Sequence, residues 1–426
     1  MNLAPRPSKV ARAAGTAASV PVECCQICGH APLETVLSLG YMPPVNQMVP
    51  IGEIPRQLPW FPTTLLHCHN CELVQLGLAV DPAIIFPPEY PYTSGTTKLL
   101  RDNFADLQRE SAAMFGLSDK DLVVDIGSND GTLLSNFKNG GQRVLGIEPT
   151  DVGDIANRHG IPTLKRYFGI DVAREVRTQH GAASVVTAAN CFAHMEDVHS
   201  IVDAVTEMLK PDGVFISESH YLIPLLDTLQ YDTIYHEHLR YYSLSSLKYL
   251  FEMHDLEIFH ARPIPSHGGS IRVYAARRGA HPVEASVRHM LAEEPRGQAM
   301  SRRLAAFRDD VILSKLRLLS MLRELKEKGA RVVGISAPSR ASTLVNYVGL
   351  DEGLIEFVCE IAGSLKIGKY MPGTQIPVVD EARLFAEQPD CAVIFSWHIA
   401  DELAPKLRAK GFRGQLITPL PVPRVL

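Results

Sequence analysis

The sequence predicts an α/β chain of several domains, with a central Rossmann-like unit between a small cysteine-paired module and a second, smaller parallel-sheet α/β domain. Three observations predict this. Two Cys-x-x-Cys pairs occur near the amino end, in "CCQICGH" and "LLHCHNCELV". "DLVVDIGSNDGTLLSNF" reads as a buried strand, a glycine turn and a helix, and "RVLGIEPT" supplies the next strand. A second strand and helix alternation begins at Arg331 with "ARVVGISAP" and "SRASTLVNYVGL". At 426 residues the chain exceeds the size at which one core usually stops growing.

Residues 1–20 carry Arg6, Lys9 and Arg12 ahead of "AAGTAASV". The apolar block of about 7 to 15 residues that a secretory signal needs is missing, so this segment reads as a flexible tail. Residues 21–85 form the cysteine module. Cys25, Cys28, Cys68 and Cys71 offer four thiolates for tetrahedral Zn²⁺, with Cys24 as the spare and His30, His67 and His69 as nearby alternatives. A closed four-ligand site has no position for a substrate, so its expected role is to hold a small domain together. Such cysteine usage favours a reducing compartment, the cytoplasm. Net charge is −5 with no long basic run, which argues against a nucleic-acid binder. No apolar stretch approaches the roughly 18 residues of a membrane span.

Residues 86–280 read as the catalytic domain. "EYPYTSGTTKLL" places Tyr90 and Tyr92 before an amphipathic helix, as a lid or as a linker. The turn after the first strand is not Gly-x-Gly-x-x-Gly and has no P-loop lysine, which disfavours a nicotinamide cofactor or ATP. Asp125, Gly127, Asn129 and Gly131, with Glu148 at the end of the second strand, instead resemble the S-adenosylmethionine (SAM) site of class I methyltransferases. Glu148 can then accept both ribose hydroxyls. The fourth strand ends in Asn190, and His194 follows four residues later.

"YDTIYHEHLRYYSLSSL" crowds phenols, imidazoles and a carboxylate together. On its own it fits a polar rim, a metal site at His236 and His238, a buried network or an acid/base cluster.

Taken with "LGYMPPVNQ", "DIGSNDGTLL", "NCFAHM", "SHGGSIRVY" and "VVGISAPSRASTLVNY", it resembles the zinc-containing C-methyltransferases that act on nucleotide-linked 4-keto deoxysugars. The resemblance spans nearly all of the chain after residue 20. It implies that Tyr235, Glu237, His238 and His194 line the reacting centre. Methylation at carbon needs a carbanion equivalent, and a neighbouring ketone provides one as an enolate. His238 is the expected base, Glu237 its orienting partner, and Tyr235 or His194 the donor to the enolate oxygen. Other expected readings are methylation of a different ketone or a hydroxyl, and a non-catalytic SAM-binding protein.

Residues 281–330 read as a helical connector. Residues 331–426 read as a Rossmann-like domain which, by resemblance, binds the sugar nucleotide. Ser339 and Arg340, in the turn "SAPSRAS", are the phosphate candidates. The sequence departs from the family at Ser336, where glycine is usual, at Arg340, where lysine is usual, and at His398, where asparagine is expected. In "PSHGGSIRVY", His267 joins the substrate candidates, and the double glycine suits either a close approach to ligand or a hairpin turn. The expected partner is a small molecule, with neither nucleic acid nor membrane involved, and the chain is a monomer or small homo-oligomer.

Overall fold

The computed structural model describes residues 18–54, 57–86 and 94–426. At its centre lies a seven-stranded sheet, in the spatial order Thr163–Leu164, Arg143–Ile147, Leu122–Ile126, Ala183–Ala189, Leu209–His220, Ser270–Arg277, Leu256–Ile264. The first five run parallel, and Ser270–Arg277 is antiparallel to both of its neighbours. Every residue of Leu122–Ile126 is buried, as a parallel strand covered on both faces requires. Strand order reverses between Leu122–Ile126 and Ala183–Ala189, so their carboxyl ends open the crevice where such sheets bind ligands.

The amino-terminal module is a four-stranded sheet. Glu34–Met42 pairs with Phe61–His67, then Val74–Leu76, and the last strand is Arg240–Tyr241 from the polar stretch. That stretch is therefore anchored on the cysteine module. Fully buried Arg240 adds to the anchor: it donates to Gln26 Oε1 at 2.8 Å, to the hydroxyl of Tyr242 at 2.9 Å and to the carbonyl of Met195.

Gln298–Glu327 is a single helix. Its buried residues, Met300, Leu304, Phe307, Val311, Ser314, Leu318 and Leu322, recur at three- and four-residue spacing. All but Ser314 share one apolar cluster with Val36 and Leu39 of the module, Leu225 and Ile234 of the centre, and Leu344 and Ile417 of the carboxyl-terminal part. The connector thus packs against all three parts. Among the described residues no helix is long and apolar enough to cross a membrane.

The carboxyl-terminal sheet runs Val378–Asp380, Val358–Glu360, Val332–Ile335, Cys391–Ile394, Gln415–Thr418, Arg424–Val425, parallel except for the last strand. Val378–Asp380 and Arg424–Val425 form its two edges. Both are too short to show a period in sequence.

Candidate active site

The four expected cysteines converge. Their sulfur atoms all lie within 4.8 Å of one another, with Cys25 and Cys71 at 3.4 Å and Cys28 and Cys68 at 3.5 Å. Backbone N–H groups of Ile27 and Cys28 point at Cys25 Sγ. Gly29, at φ 70°, turns the first knuckle back, and Glu72, at φ 61°, does so for the second. All four cysteines are buried, a donor set that fits structural Zn²⁺ without help from a histidine.

In the crevice, Gly127 has φ 68°, and a Cβ there would lie 2.9 Å from Cys191 Cβ. Gly131, at φ 79°, starts the following helix, where a Cβ would meet Ala156 at 3.0 Å. Asp125 accepts from Thr187 Oγ1 at 2.6 Å; burial above all, then the charges of Glu148 and Glu218, push its carboxyl up to about 8. Glu148 is more committed than expected. Its Oε1 takes the N–H and hydroxyl of Thr150 at 2.9 and 2.7 Å, and its Oε2 takes the N–H of Asn129 at 3.0 Å. Three of about four acceptor positions are used, which leaves room for one ribose hydroxyl rather than two. Asn190, at φ 62°, ends the fourth strand. Among the described residues its side-chain oxygen and nitrogen are both buried without a hydrogen-bond partner, as suits groups waiting for a polar ligand. The close-packed glycine turn and the orphaned Asn190 amide together fit SAM.

Beside this crevice the polar stretch folds into a short 3₁₀ turn, Tyr231–Thr233, and a loop. The N–H of Leu239 donates to the carbonyl of Ala193, drawing His238 toward His194. Ring centroids lie 5.0 Å apart for His238 and His194, 4.8 Å for His238 and His220, and 4.1 Å for His238 and Tyr235. His267 stands 5.6 Å from His220, and Phe86 stacks on His194. Nδ1 of His238 lies 2.7 Å from the carbonyl of Thr233. Burial first, with His194 beside it, holds the His238 pKa well below the ordinary histidine value. Burial also lowers His194 and His267 to about 4, with Arg240 adding to the first and Arg340 to the second. Four neutral imidazoles thus face one space. His220, at the end of the fifth strand, was not among the expected site residues.

Two expectations change here, for Glu237 and Arg340, while His236 takes a structural place instead of the metal alternative. Glu237 does not hold His238: its Oε1 accepts from the Asn46 amide at 2.7 Å. His236 turns toward the module, with Nε2 3.0 Å from Thr63 Oγ1 and 3.3 Å from the carbonyl of Pro62. It shares no metal-ligating group with His238 among the described residues. Arg340 does not present its guanidinium to solvent phosphate. Its Nε and one terminal nitrogen grip Asp232 at 2.7 Å each, and the other terminal nitrogen reaches the carbonyl of His267 at 3.3 Å and His398 at 3.4 Å.

Ser339 Oγ donates to Asn46 Oδ1 at 2.9 Å. Ser336 adopts φ 60°, a conformation that suits the glycine which the resemblance leads us to expect there, and its hydroxyl donates to Ser396 Oγ at 2.6 Å. The fold itself requires the double glycine: a Cβ on Gly269 would lie 2.6 Å from Pro224, and one on Gly268 2.9 Å from Gln230. Tyr90 and Tyr92 lie outside the described residues.

The strand order, the glycine turn and the orphaned amide at the switch point define a class I SAM-dependent methyltransferase. Family models match three consecutive parts of the chain: a zinc binding domain at residues 25–86, a methyltransferase domain at 98–261 and a C-methyltransferase C-terminal domain at 265–421. The chain is 34% identical over 412 residues to C-methyltransferase NovU of Streptomyces niveus, covering 95% of this chain and 97% of that protein. It belongs to this family of C-methyltransferases, and is a SAM-dependent enzyme with an amino-terminal zinc-binding domain. A shorter match, 30% identical over 122 residues, joins 27% of this chain to 49% of the ubiquinone biosynthesis O-methyltransferase of Haemophilus ducreyi. Among solved structures, a SAM-dependent methyltransferase of Clostridium acetobutylicum aligns with 43% of this chain and 94% of its own, at 13% identity and a TM-score of 0.34.

Proposed function

We propose that this enzyme transfers a methyl group to the carbon next to the ketone of a nucleotide-linked 4-keto-6-deoxysugar, with His238 as general base, in the cytoplasm. The supporting observation is the 2.7 Å contact between His238 Nδ1 and the carbonyl of Thr233. A carbonyl only accepts, so Nδ1 carries the proton and Nε2 keeps its lone pair. Burial keeps the ring neutral and that lone pair available.

His238 Nε2 takes the α proton, and the C–H electron pair moves into the C–C bond as the carbonyl becomes an enolate. The resulting imidazolium is held by Thr233 and lies close to the new negative charge, which offsets the cost of charging a buried ring. In this reading neutral His194 and the phenol of Tyr235, whose pKa burial raises, donate to the enolate oxygen. SAM in the adjoining crevice supplies an electrophilic methyl group to the carbon.

The domain boundaries at residues 85, 280 and 330 belong to this reading, with the part after 330 covering the nucleotide. Incubation with methyl-labelled SAM and a panel of nucleotide-linked 4-keto-6-deoxysugars, read by mass and NMR, tests it. A carbon-bound methyl on one member is expected. A methoxy product, or no transfer to any member with SAM binding intact, would overturn it.

A further inference from the structure

Glu34, His67 and His69 form a second group of metal-ligating side chains, separate from the four cysteines. Glu34 and His67 face each other across the hairpin. Glu34 Oε2 lies 3.1 Å from His69 Nε2 and 3.7 Å from His67 Nδ1.

The tautomer of His67 makes this group informative. Its ring is wholly buried, and its Nε2 lies 3.0 Å from Glu72 Oε2. Glu72 is fixed in turn, because its Oε1 takes the N–H of Gly297 at 2.7 Å. A carboxylate only accepts, so in a neutral ring Nε2 carries the proton and Nδ1 presents a lone pair. That Nδ1 is buried without a hydrogen-bond partner among the described residues. A lone pair and a carboxylate oxygen facing each other repel, and a cation between them removes the repulsion. A carboxylate behind the far nitrogen is also the usual support of a metal-bound histidine.

We propose that Glu34, His67 and His69 bind a second divalent ion of the zinc type. Ligands at about 2.0–2.2 Å in tetrahedral array stand about 3.3 Å apart. The observed 3.1 and 3.7 Å need only a small adjustment. Two imidazoles and a carboxylate suit Zn²⁺ and leave a fourth position for water. Through Glu72 and Gly297 the ion clasps the module's hairpin to the start of the long helix.

The test is a Zn²⁺ titration of the full chain, with metal content measured by mass spectrometry after gel filtration. Wild type is expected to hold two equivalents, the second removed by a mild chelator that leaves the cysteine-bound zinc. His69→Ala and Glu34→Gln change side chains that are 48% and 45% exposed, and each is expected to hold one equivalent. Intense thiolate absorption after Co²⁺ substitution confirms that the cysteine site survives in each variant. Saturation of wild type at one equivalent, or two equivalents retained by the double variant, would overturn the proposal.

Discussion

The side-chain amide of Asn46 donates to Glu237 at 2.7 Å while its oxygen accepts from Ser339 at 2.9 Å, so one residue of the zinc module joins the central and carboxyl-terminal parts at the site. Glu237 is 3% exposed, and a buried carboxylate needs such partners. Its position, and with it the course of the chain through His238, depends on a residue 191 positions away.

Asn46→Ala removes a charge-assisted hydrogen bond worth about 1.5–3 kcal/mol. The expected result is a fall in kcat/KM of roughly 10- to 100-fold, with SAM affinity unchanged. Asn46→Asp should be worse, because two carboxylates would then share the contact. Steady-state kinetics beside calorimetric SAM titration checks this, and an unaltered kcat/KM would separate Asn46 from the site.

Why was Asn46 not legible in the sequence? The cysteine pairs and the glycine turn follow from local spacing, whereas His194 and His238 are placed at one site by the resemblance, and their ring centroids lie 5.0 Å apart. Asn46, His220 and Asp232 matter through partners in other parts of the fold. Asp232 lies inside the quoted polar stretch, yet its partner Arg340 is 108 residues further on. Glu237 shows the reverse: the resemblance implies an orienting partner for His238, and its Oε1 accepts from Asn46 instead. The positive φ of Ser336 likewise gives a serine no local signature.

His238 sets the expected acid limb of activity. Its pKa is lowered, chiefly by burial, and in the proposed role as base the neutral ring is the active form. Lowering the pH from 8 past the ordinary histidine value of roughly 6.5 should therefore leave kcat/KM flat, with loss only in stronger acid. His238→Asn should abolish both turnover and exchange of the substrate α proton for deuterium while SAM still binds. A profile with its midpoint at or above the ordinary value, or exchange surviving in the variant, would remove His238 as the base.

Stability should fall in acid for a related reason. His236 is 1% exposed, and burial lowers its pKa to about 4 despite hydrogen bonds to the carbonyls of Pro62 and Phe61. The unfolded chain binds the proton first, so stability is complete above about 6.5 and is lost as pH falls toward the folded value. The loss from this one residue is on the order of 3 kcal/mol. Chemical denaturation from pH 7 to 4 measures it, and His236→Gln should flatten the slope.

Arg340 and Asp232 form a buried ion pair, and Trp397 Nε1 adds a third donor to the carboxylate at 2.8 Å. Asp232→Asn leaves the guanidinium without a countercharge in a buried place, at an expected cost of about 3–5 kcal/mol. Replacing both residues with apolar side chains of similar volume should cost less than the single change. Urea midpoints decide this. A shift below about 1 kcal/mol in Asp232→Asn would mean that Arg340 has another partner, and would return it to the phosphate role.

Gly127 is where backbone conformation and close packing act together. Alanine at φ 68° costs about 1–2 kcal/mol in the left-handed region. Its Cβ would also press on Cys191, 2.9 Å from Cβ and 3.0 Å from Sγ. Cys191 has little room to yield, because its thiol donates to the carbonyl of Ile126 at 2.9 Å. The strain passes to the Asn190–Cys191 turn, which presents the orphaned amide to the crevice. Gly127→Ala should therefore weaken SAM binding at least roughly 10-fold, equivalent to about 1.4 kcal/mol, while zinc content stays unchanged. Adding Cys191→Gly removes the overlap but not the left-handed cost, so part of the affinity should return. Full recovery would assign the whole effect to packing, and none would assign it to the backbone angle.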